Sequence, residues 1–428
     1  AVFATAQVGF KEAVFLDLSA RNDWSSALAF TDGCSFFYPS VGASVLLNKL
    51  VPMGEQVNLF KLRGSYSIVG NDVPIYMSNP RYTLGESGSI SAPDKAAFRT
   101  LKPEKTHSIE VGFDGTFFNN RLDLSLTYYK TNTKNQFFSV SAPYESGLRN
   151  RYVNAGNVQN QGIEASIGWH QQFNPDFSWS TNFNISYNEN KIKELVEGLE
   201  NGLTIASWQG AKVVLNEGGS YGDLYVRQIQ RDENGKPVKN EKGEPVLMGD
   251  NVDEMKYAGN MNAKVNFGWT NTFHYKDFTF SFLIDGKFGG RVLSATEATL
   301  DGWGVSKRSG IARNAGKVVV DGVEFDPQAW YTTTGSSNFN NSYATEFYVY
   351  KGTNVRLREM SLGYTFRNLF GNGKNLTAAL IARNLFFFYK DAPCDPDVSM
   401  GTGNGVQGVD IFNLPSATSL GLNLKLNF

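Results

Sequence analysis

Long apolar runs are absent from this sequence, and so is any large excess of charge of one sign. No stretch of about 18 consecutive apolar residues occurs, so a bilayer-spanning helix is excluded by length. Lysine and arginine together number 40, against 41 aspartates and glutamates. Such a balance leaves no basic field to attract nucleic acid, which is therefore not an expected partner.

Cysteine and proline are also scarce, with 2 and 14 residues among 428. Cys34 and Cys394 fall in separate predicted links and are far apart in sequence, so they indicate no disulfide framework. The first ten residues follow a strand pattern and carry no positively charged leader. We therefore expect the sequence to open in the middle of a folded domain.

Aromatic residues, by contrast, make up 14% of the chain, and apolar and polar residues alternate along many segments. In the last segment Leu420, Leu422 and Leu424 share one face of a strand, whereas Asn423 and Lys425 share the other. About thirteen segments of this kind have roughly 9 to 14 residues, close to the length that crosses a bilayer at a tilt of about 45°.

The links between these segments distinguish a membrane barrel from a soluble β-sandwich, whose strands also alternate but are usually shorter. Short and long links alternate strictly, as periplasmic turns and extracellular loops do in an outer-membrane barrel. The predicted short links lie near 11–12, 49–57, 119–120, 172–176, 275–277 and 367–373, and the predicted long extracellular loops near 23–38, 70–105, 134–160, 190–259, 289–353 and 387–414.

The sequence therefore predicts an all-β protein, a transmembrane antiparallel β-barrel of the bacterial outer membrane. An odd set of thirteen strands cannot close, and open edges are not tolerated in lipid, so the remaining strands must come from other sequence. Three tryptophans on the apolar phase close to short links predict a girdle at the inner membrane interface, together with the terminal Phe428. These three are Trp169, Trp179 and Trp269; the tryptophans of the predicted long loops are Trp24, Trp208, Trp303 and Trp330.

Ordered segments along most of the chain carry a family resemblance. They include Leu101-Lys-Pro-Glu-Lys-Thr, Glu110-Val-Gly-Phe-Asp, Asn120-Arg-Leu-Asp, Asn154-Ala-Gly-Asn-Val-Gln-Asn-Gln-Gly-Ile-Glu164, Val355-Arg-Leu-Arg-Glu-Met-Ser-Leu-Gly-Tyr364, Arg383-Asn-Leu-Phe, Asp395-Pro-Asp397 and Gly421-Leu-Asn-Leu. Taken in order, these segments resemble the SusC/RagA class of TonB-dependent outer-membrane transporters.

The resemblance implies that residues 1–428 are the C-terminal portion of a TonB-dependent receptor barrel of about 22 strands. It also implies an N-terminal plug domain that is not in this sequence, and energisation by the TonB complex through that missing part. A SusD-like surface lipoprotein would lie over the long loops as a lid. Outer-membrane lipid would surround the barrel wall.

The leading hypothesis is TonB-dependent import of a large nutrient, an oligosaccharide or an oligopeptide. Aromatic rings in the long loops, with Trp208, Trp303 and Trp330 as candidates, can stack on sugars or peptide side chains. One alternative is a structural or secretion-linked barrel that has only protein partners. Another is an outer-membrane hydrolase with its active site in the loops, which would need a carboxylate/His or Ser/His cluster at the outer rim.

Catalytic and metal motifs are few, and no cofactor is expected. Gly403-Asn-Gly-Val-Gln-Gly408 matches the dinucleotide pattern but precedes a terminal strand rather than a helix, so a flexible loop is the better interpretation. In the last long loop the oxygen-rich group Asp391, Asp395 and Asp397 could bind Ca²⁺. The alternative is a solvated loop that contacts the lid. The histidines His107, His170 and His274 are too far apart in sequence to predict a metal site.

Overall fold

The structure, a computed structural model, describes all residues except 30, 32, 74, 76–80, 94–101, 142–149, 196–201, 337–342, 370, 372, 398, 402–404 and 428. Phe428, Leu101 and the first two residues of the glycine-rich motif at 403–408 therefore lie outside the described residues. The chain divides into two compact units, Ala1–Gln171 with Asn182–Glu200, and Gln172–Thr181 with Asn201–Phe428.

Strands dominate the described residues. Numbered along the chain, they are β1 (Val2–Phe10), β2 (Val14–Trp24), β3 (Ser35–Leu46), β4 (Val57–Asn71), β5 (Thr83–Leu84), β6 (Ile90–Ser91), β7 (Glu104–Phe117), β8 (Leu122–Ser141), β9 (Asn150–Asn174), β10 (Phe177–Glu194), β11 (Leu203–Trp208), β12 (Ala211–Leu215), β13 (Asp223–Val226), β14 (Lys256–Asn260), β15 (Ala263–Tyr275), β16 (Phe278–Gly289), β17 (Arg291–Ser294), β18 (Val318–Val320), β19 (Val323–Phe325), β20 (Val349–Lys351), β21 (Asn354–Phe366), β22 (Asn375–Lys390), β23 (Val409–Asp410) and β24 (Ser419–Asn427).

Thirteen of these strands form one antiparallel sheet, the wall, in the order β1-β2-β3-β4-β7-β8-β9-β10-β15-β16-β21-β22-β24. This confirms the predicted all-β fold and the predicted number of strands. Short links of the wall lie at 11–13, 47–56, 118–121, 175–176, 276–277 and 367–374. They agree with the predicted short links to within a few residues.

One predicted loop is largely strand. Residues 134–160 were expected to be a long loop, but β8 continues to Ser141 and β9 begins at Asn150, with Gln136 opposite Ala155. Residues 131–136 are Thr-Asn-Thr-Lys-Asn-Gln, polar on both faces, so the apolar alternation ends although the backbone ladder continues. Similarly, the predicted loop 23–38 is shortened, because β2 ends at Trp24 and β3 begins at Ser35.

The two faces of the wall differ in chemistry, as a lipid-facing barrel requires. In the second unit, Phe278 lies opposite Tyr364 and Phe280 opposite Leu362 on the apolar face. On the other face the hydroxyl groups of neighbouring strands pair, for example Ser281 with Ser361 at 2.9 Å. The apolar face is left exposed, with Leu420 at 81%, which is expected of a surface that contacts lipid instead of water.

Helices occur in the links and are short. They are α1 (Leu47–Leu50), α2 (Ala295–Gly302), α3 (Lys307–Ala315) and α4 (Pro327–Thr334). Side-chain caps begin the last three: Ser294, Ser306 and Asp326 each accept a hydrogen bond from a backbone N–H of the first turn. Among the described residues no helix has the length and apolarity needed to cross a membrane.

Three long links of the second unit pack together into what we call the loop cluster, which comprises β11–β14, β17–β20, α2–α4 and β23. Its strands form a four-stranded sheet, β11-β12-β13-β14, a two-stranded sheet, β18-β19, and a three-stranded sheet, β20-β17-β23, in which β17 and β23 are parallel. All three links contribute to one buried core, whose members are Ala211, Val213, Leu224, Val226, Met261, Leu293, Ala298, Tyr343, Tyr348 and Val409.

Candidate substrate-binding site

Two arginines of β21 converge on one carboxylate of β16, on the polar face of the wall. Asp285 accepts hydrogen bonds from Nε of Arg356 at 3.0 Å and from Nε of Arg358 at 2.8 Å. The register of β21 shifts between Leu357 and Glu359. This bulge changes which residues face the polar side, so Arg358 and the following Glu359 both lie there.

The last long link supplies two further carboxylates to this group. Asp395 lies 3.3 Å from Nη1 of Arg356, and Asp397 contacts the Nη2 atoms of both arginines. Asp397 is also 2.7 Å from Nζ of Lys287. We call these six side chains the ion-pair network: Lys287, Arg356, Arg358, Asp285, Asp395 and Asp397.

Charge is balanced within the ion-pair network, which has three cations and three carboxylates. Arg356 is only 3% exposed, and a buried guanidinium is tolerated only when its N–H groups find acceptors. The ring of Phe387 adds a cation–π contact at 5.5 Å from the guanidinium carbon. The network therefore ties the last long link to the wall.

A polar pocket of about 450 Å³ lies beside the network. Asn262, Asn266 and Gln407 contribute amide groups to its lining, and Lys287 and Arg291 contribute cationic groups. Within the described part of the chain, no carboxylate lies at ion-pair distance from Arg291. Amides of this kind, with the guanidinium of Arg291, can bind hydroxyl, peptide or carboxylate groups, so the pocket suits a polar ligand.

A second, open cleft of about 470 Å³ lies in the loop cluster and is lined by Trp303, Arg313, Gln328 and Tyr331 among others. Trp303 directly follows α2 and is 63% exposed. An exposed indole beside amide, hydroxyl and guanidinium groups is a surface on which a sugar ring or a peptide side chain can stack.

Asp301 holds the helices below this cleft in place. It is 1% exposed, and its carboxylate accepts hydrogen bonds from the hydroxyl of Tyr348 at 3.0 Å and from Nε of Arg308 at 2.6 Å. Burial raises the pKa of Tyr348 well above its usual value, and the Asp301 carboxylate adds to this. Burial lowers the pKa of Arg308, but the hydrogen bond and charge of Asp301, together with Tyr348 and Tyr350, raise it by more, so its net pKa is raised. Both groups therefore keep their protons, and the hydrogen bonds persist over the physiological pH range.

Residues 1–230 match the family described as TonB-dependent receptor-like, β-barrel. The chain belongs to this family. TonB-dependent receptor P3 of Formosa agariphila is 26% identical over 474 residues, which cover 99% of this chain and 45% of the relative. TonB-dependent receptor SusC of Bacteroides thetaiotaomicron is 26% identical over 401 residues, which cover 86% of this chain and 37% of the relative.

Among solved structures, the RagAB peptide importer in its "open-open" state superimposes with a TM-score of 0.77 at 20% identity, over 100% of this chain and 46% of that chain. The predicted resemblance to the SusC/RagA class is confirmed. This TonB-dependent receptor barrel spans less than half the length of these relatives. Like the members of its family, it is an outer-membrane β-barrel, and the relatives are receptors or transporters rather than enzymes.

The three tryptophans proposed as substrate contacts have different positions in this TonB-dependent receptor barrel. Trp303 lines the open cleft, and Trp208 packs, half-buried, against the core of the loop cluster. Trp330 is 5% exposed and lies between Phe325 and Phe347, with ring centroids 4.8 and 5.3 Å away. As a substrate contact Trp330 stays a prediction, but α4 turns this ring into the interior of the cluster.

The three aspartates considered as calcium ligands make ion pairs and hydrogen bonds within the receptor barrel. Arg356 stands between Asp395 and Asp397, where a cation shared by the two would have to bind. Asp391 accepts a hydrogen bond from the backbone N–H of Lys351 at 2.9 Å. Among the described residues no cluster of His, Cys, Asp or Glu suits a metal ion, so these aspartates form structural contacts.

Two of the predicted girdle tryptophans form a reciprocal pair on the apolar face of β10 and β15. The indole N–H of Trp179 donates to Oδ1 of Asn271 at 3.1 Å, and that of Trp269 donates to Oγ1 of Thr181 at 2.9 Å. Asn271 is 2% exposed although it shares the apolar face. Each indole thus supplies a donor to a side-chain oxygen on the apolar face, where lipid could supply none. The half-buried Trp169 lies opposite Leu122 at a short link, and a girdle role for these residues and Phe428 stays a prediction.

Proposed function

We propose that the protein imports a large nutrient across the bacterial outer membrane, using energy delivered by the TonB complex. The observation that carries this proposal is that three long links of one barrel rim fold into a single loop cluster beside a polar pocket of the wall. Such a surface recognises a ligand at the barrel mouth. By the rule for outer-membrane barrels, long links are extracellular, so the loop cluster faces the medium.

The substrate class is an oligosaccharide or an oligopeptide. Both carry alternating donor and acceptor groups, which the amides of Asn262, Asn266 and Gln407 can pair. Both also offer flat or apolar surfaces on which Trp303 can stack. Transport of either requires no bond to be made or broken, so binding groups alone are sufficient.

A SusD-like surface lipoprotein is the proposed lid. Its contact surface on this chain would include the exposed apolar side chains around α2 and α3, namely Trp303, Val305 and Ile311, which are 61–68% exposed. Neighbouring apolar side chains of this kind are typical of a protein-binding surface. By the family resemblance, contact with the TonB complex belongs to a part of the protein outside this sequence.

Uptake measurements test the proposal directly. Cells that lack the gene are complemented with the intact protein or its variants and supplied with labelled oligosaccharides and oligopeptides. We expect Trp303→Ala to weaken binding of the transported oligomer by roughly three- to tenfold, the value of one aromatic contact. Trp24→Ala is the matched control, because Trp24 is 58% exposed but lies at the end of β2.

Unchanged uptake of every oligomer after gene deletion would refute the import function. Co-purification distinguishes the alternative of a structural or secretion-linked barrel: a surface lipoprotein supports the importer, whereas assembly machinery in its place supports the structural role. Loss of the lipoprotein in an Ile311→Asp variant, with wild-type levels of folded barrel, would locate the lid on α3.

A further inference from the structure

Three lysines cluster on the apolar-phase face of the wall in the first unit. Lys105 of β7 lies directly opposite Lys134 of β8, and Lys130 lies opposite Ile109. Because paired residues of an antiparallel ladder share a face, these lysines point to the same side as Ile109 and Val111. Those two are 48% and 57% exposed and belong to the lipid-facing surface.

The lysines lie at the end of the wall remote from the short links. Phe117 adjoins the short link at 118–121, and Ile109 lies eight residues before Phe117 on β7, away from that link. With a rise of about 3.4 Å per residue and a tilt of about 40°, Ile109 is ~21 Å above Phe117, near the upper edge of an apolar band of about 25 Å. Lys130 is therefore close to this edge, and Lys105 and Lys134 lie about 10 Å above Ile109, or about 6 Å beyond the edge.

An aromatic boundary marks the same level. The hydroxyl of Tyr66 and Nδ1 of His107 are hydrogen-bonded at 2.9 Å. Tyr128, two residues before Lys130 on β8, shares their face and is 42% exposed. Tyrosine rings of this kind are typical of the membrane–water interface. The lysines thus lie in the headgroup layer of the outer leaflet, since short links are periplasmic.

Electrostatics leave this patch with unsatisfied positive charge. Like charges directly opposite each other across a ladder are destabilising, and Lys105 faces Lys134 in this way. In the described ranges of the chain, no carboxylate lies within ion-pair distance of the three lysines. Glu189, an acidic residue on this side, accepts a hydrogen bond from the amide of Gln161 at 3.0 Å and forms no ion pair with these lysines. An anion between Lys105 and Lys134 would relieve their repulsion.

We propose that Lys105, Lys130 and Lys134 bind the phosphate group of an anionic lipid of the outer leaflet. A lipid fits better than a free anion because it presents two chemistries at once. Its phosphate reaches the lysines, and its acyl chains cover Ile109, Val111 and the neighbouring apolar strand faces. Lys105 and Lys130 are half-buried, so their aliphatic stems lie along the wall with the ammonium groups outward. The site does not depend on which solute the barrel transports.

The test is thermal unfolding of the intact protein in micelles of a neutral detergent, titrated with phosphatidylglycerol. Phosphatidylcholine is the zwitterionic comparison, and sodium phosphate is the free-anion comparison. We expect phosphatidylglycerol to raise the melting temperature, with roughly a fivefold loss of affinity for each lysine replaced by glutamine at low salt. The matched control is K11Q/K49Q/K276Q, which removes three lysines at the short links.

A larger loss of phosphatidylglycerol affinity in K105Q/K130Q/K134Q than in the control supports the site. Retention of that affinity in K105R/K130R/K134R also supports it. Equal losses in the two glutamine triples would overturn it. If sodium phosphate alone raised the melting temperature as much as phosphatidylglycerol does, the assignment to a lipid would be overturned. Folding of each variant is checked by its heat-modifiable migration on gels. If the glutamine triple does not fold, K134Q alone must weaken phosphatidylglycerol binding relative to K276Q, or the proposal fails.

Discussion

Replacement of Arg356 by leucine gives a sharp test of how the last long link is held to the wall. The substitution removes one of three cations from the ion-pair network and leaves three carboxylates. Arg358 still neutralises Asp285, and Lys287 still contacts Asp397. Asp395, whose side chain is 6% exposed, loses its cation. Breaking a buried pair costs about 3–5 kcal/mol, and we expect the lower end because the other two carboxylates keep partners.

Hydrogen exchange of residues 391–410 measures this cost, because opening of the link exposes its backbone amides. A loss of about 3 kcal/mol corresponds to roughly a 150-fold faster exchange, at 1.36 kcal/mol per factor of ten. Arg383→Leu is the control. Arg383 also pairs with a carboxylate, that of Glu359 at 2.7 Å, but the two side chains are 59% and 39% exposed. An exposed pair contributes about 0–1 kcal/mol.

Two results would refute the reasoning. One is equal acceleration in the Arg356→Leu and Arg383→Leu variants, which would mean that burial of the network does not matter. The other is failure of Asp395→Asn to restore slow exchange in the Arg356→Leu background, since that change removes the uncompensated charge. Either outcome would show that the link is held by contacts other than these ion pairs.

Three further predictions concern other groups of the second unit. Trp330→Ala should destabilise the loop cluster by about 3–5 kcal/mol, because it empties a buried site; unchanged resistance to protease would contradict this. Trp179→Phe leaves the buried amide of Asn271 without its donor, at a cost of about 1–3 kcal/mol in thermal unfolding, and adding Asn271→Leu should recover most of the loss. The pKa of Tyr257 is raised from 10 to about 12 by partial desolvation of a residue that is still 53% exposed, and by the carboxylate of Asp223. The folded state therefore holds this proton more tightly, so the contribution of Tyr257 to stability is full below pH 10 and is lost between pH 10 and about 12; over that range the fall in stability should be smaller in Tyr257→Phe.

The wall was predictable because its signal is local. Alternation in segments such as 420–424 requires only that one face meets lipid, so period, strand number and short links all follow from the sequence. The extension of β8 and β9 was not predictable in this way, since backbone hydrogen bonds continue through Thr131–Gln136 without help from apolar side chains.

The candidate site was predictable only in part, because its contacts join distant segments. The break in alternation around Arg358 is visible in the sequence as apolar residues at 355 and 357 followed by 360 and 362, yet nothing local indicates Asp285 or Asp395 as partners. Trp330 could have been recognised as a helix residue, because Asp326 and Pro327 form a standard helix start. Which side of that helix is buried depends on the neighbouring links.

The parallel pairing of β17 with β23 means that the three long links cannot behave as separate flaps. Leu293 and Val409 lie side by side in that ladder and share a core with Val213 from an earlier link. Enlarging any one of these side chains displaces residues from the other two stretches. We therefore expect relatives with different substrate ranges to change these stretches in matched sets, so that grafting a single loop between them yields a barrel whose mouth does not fold correctly.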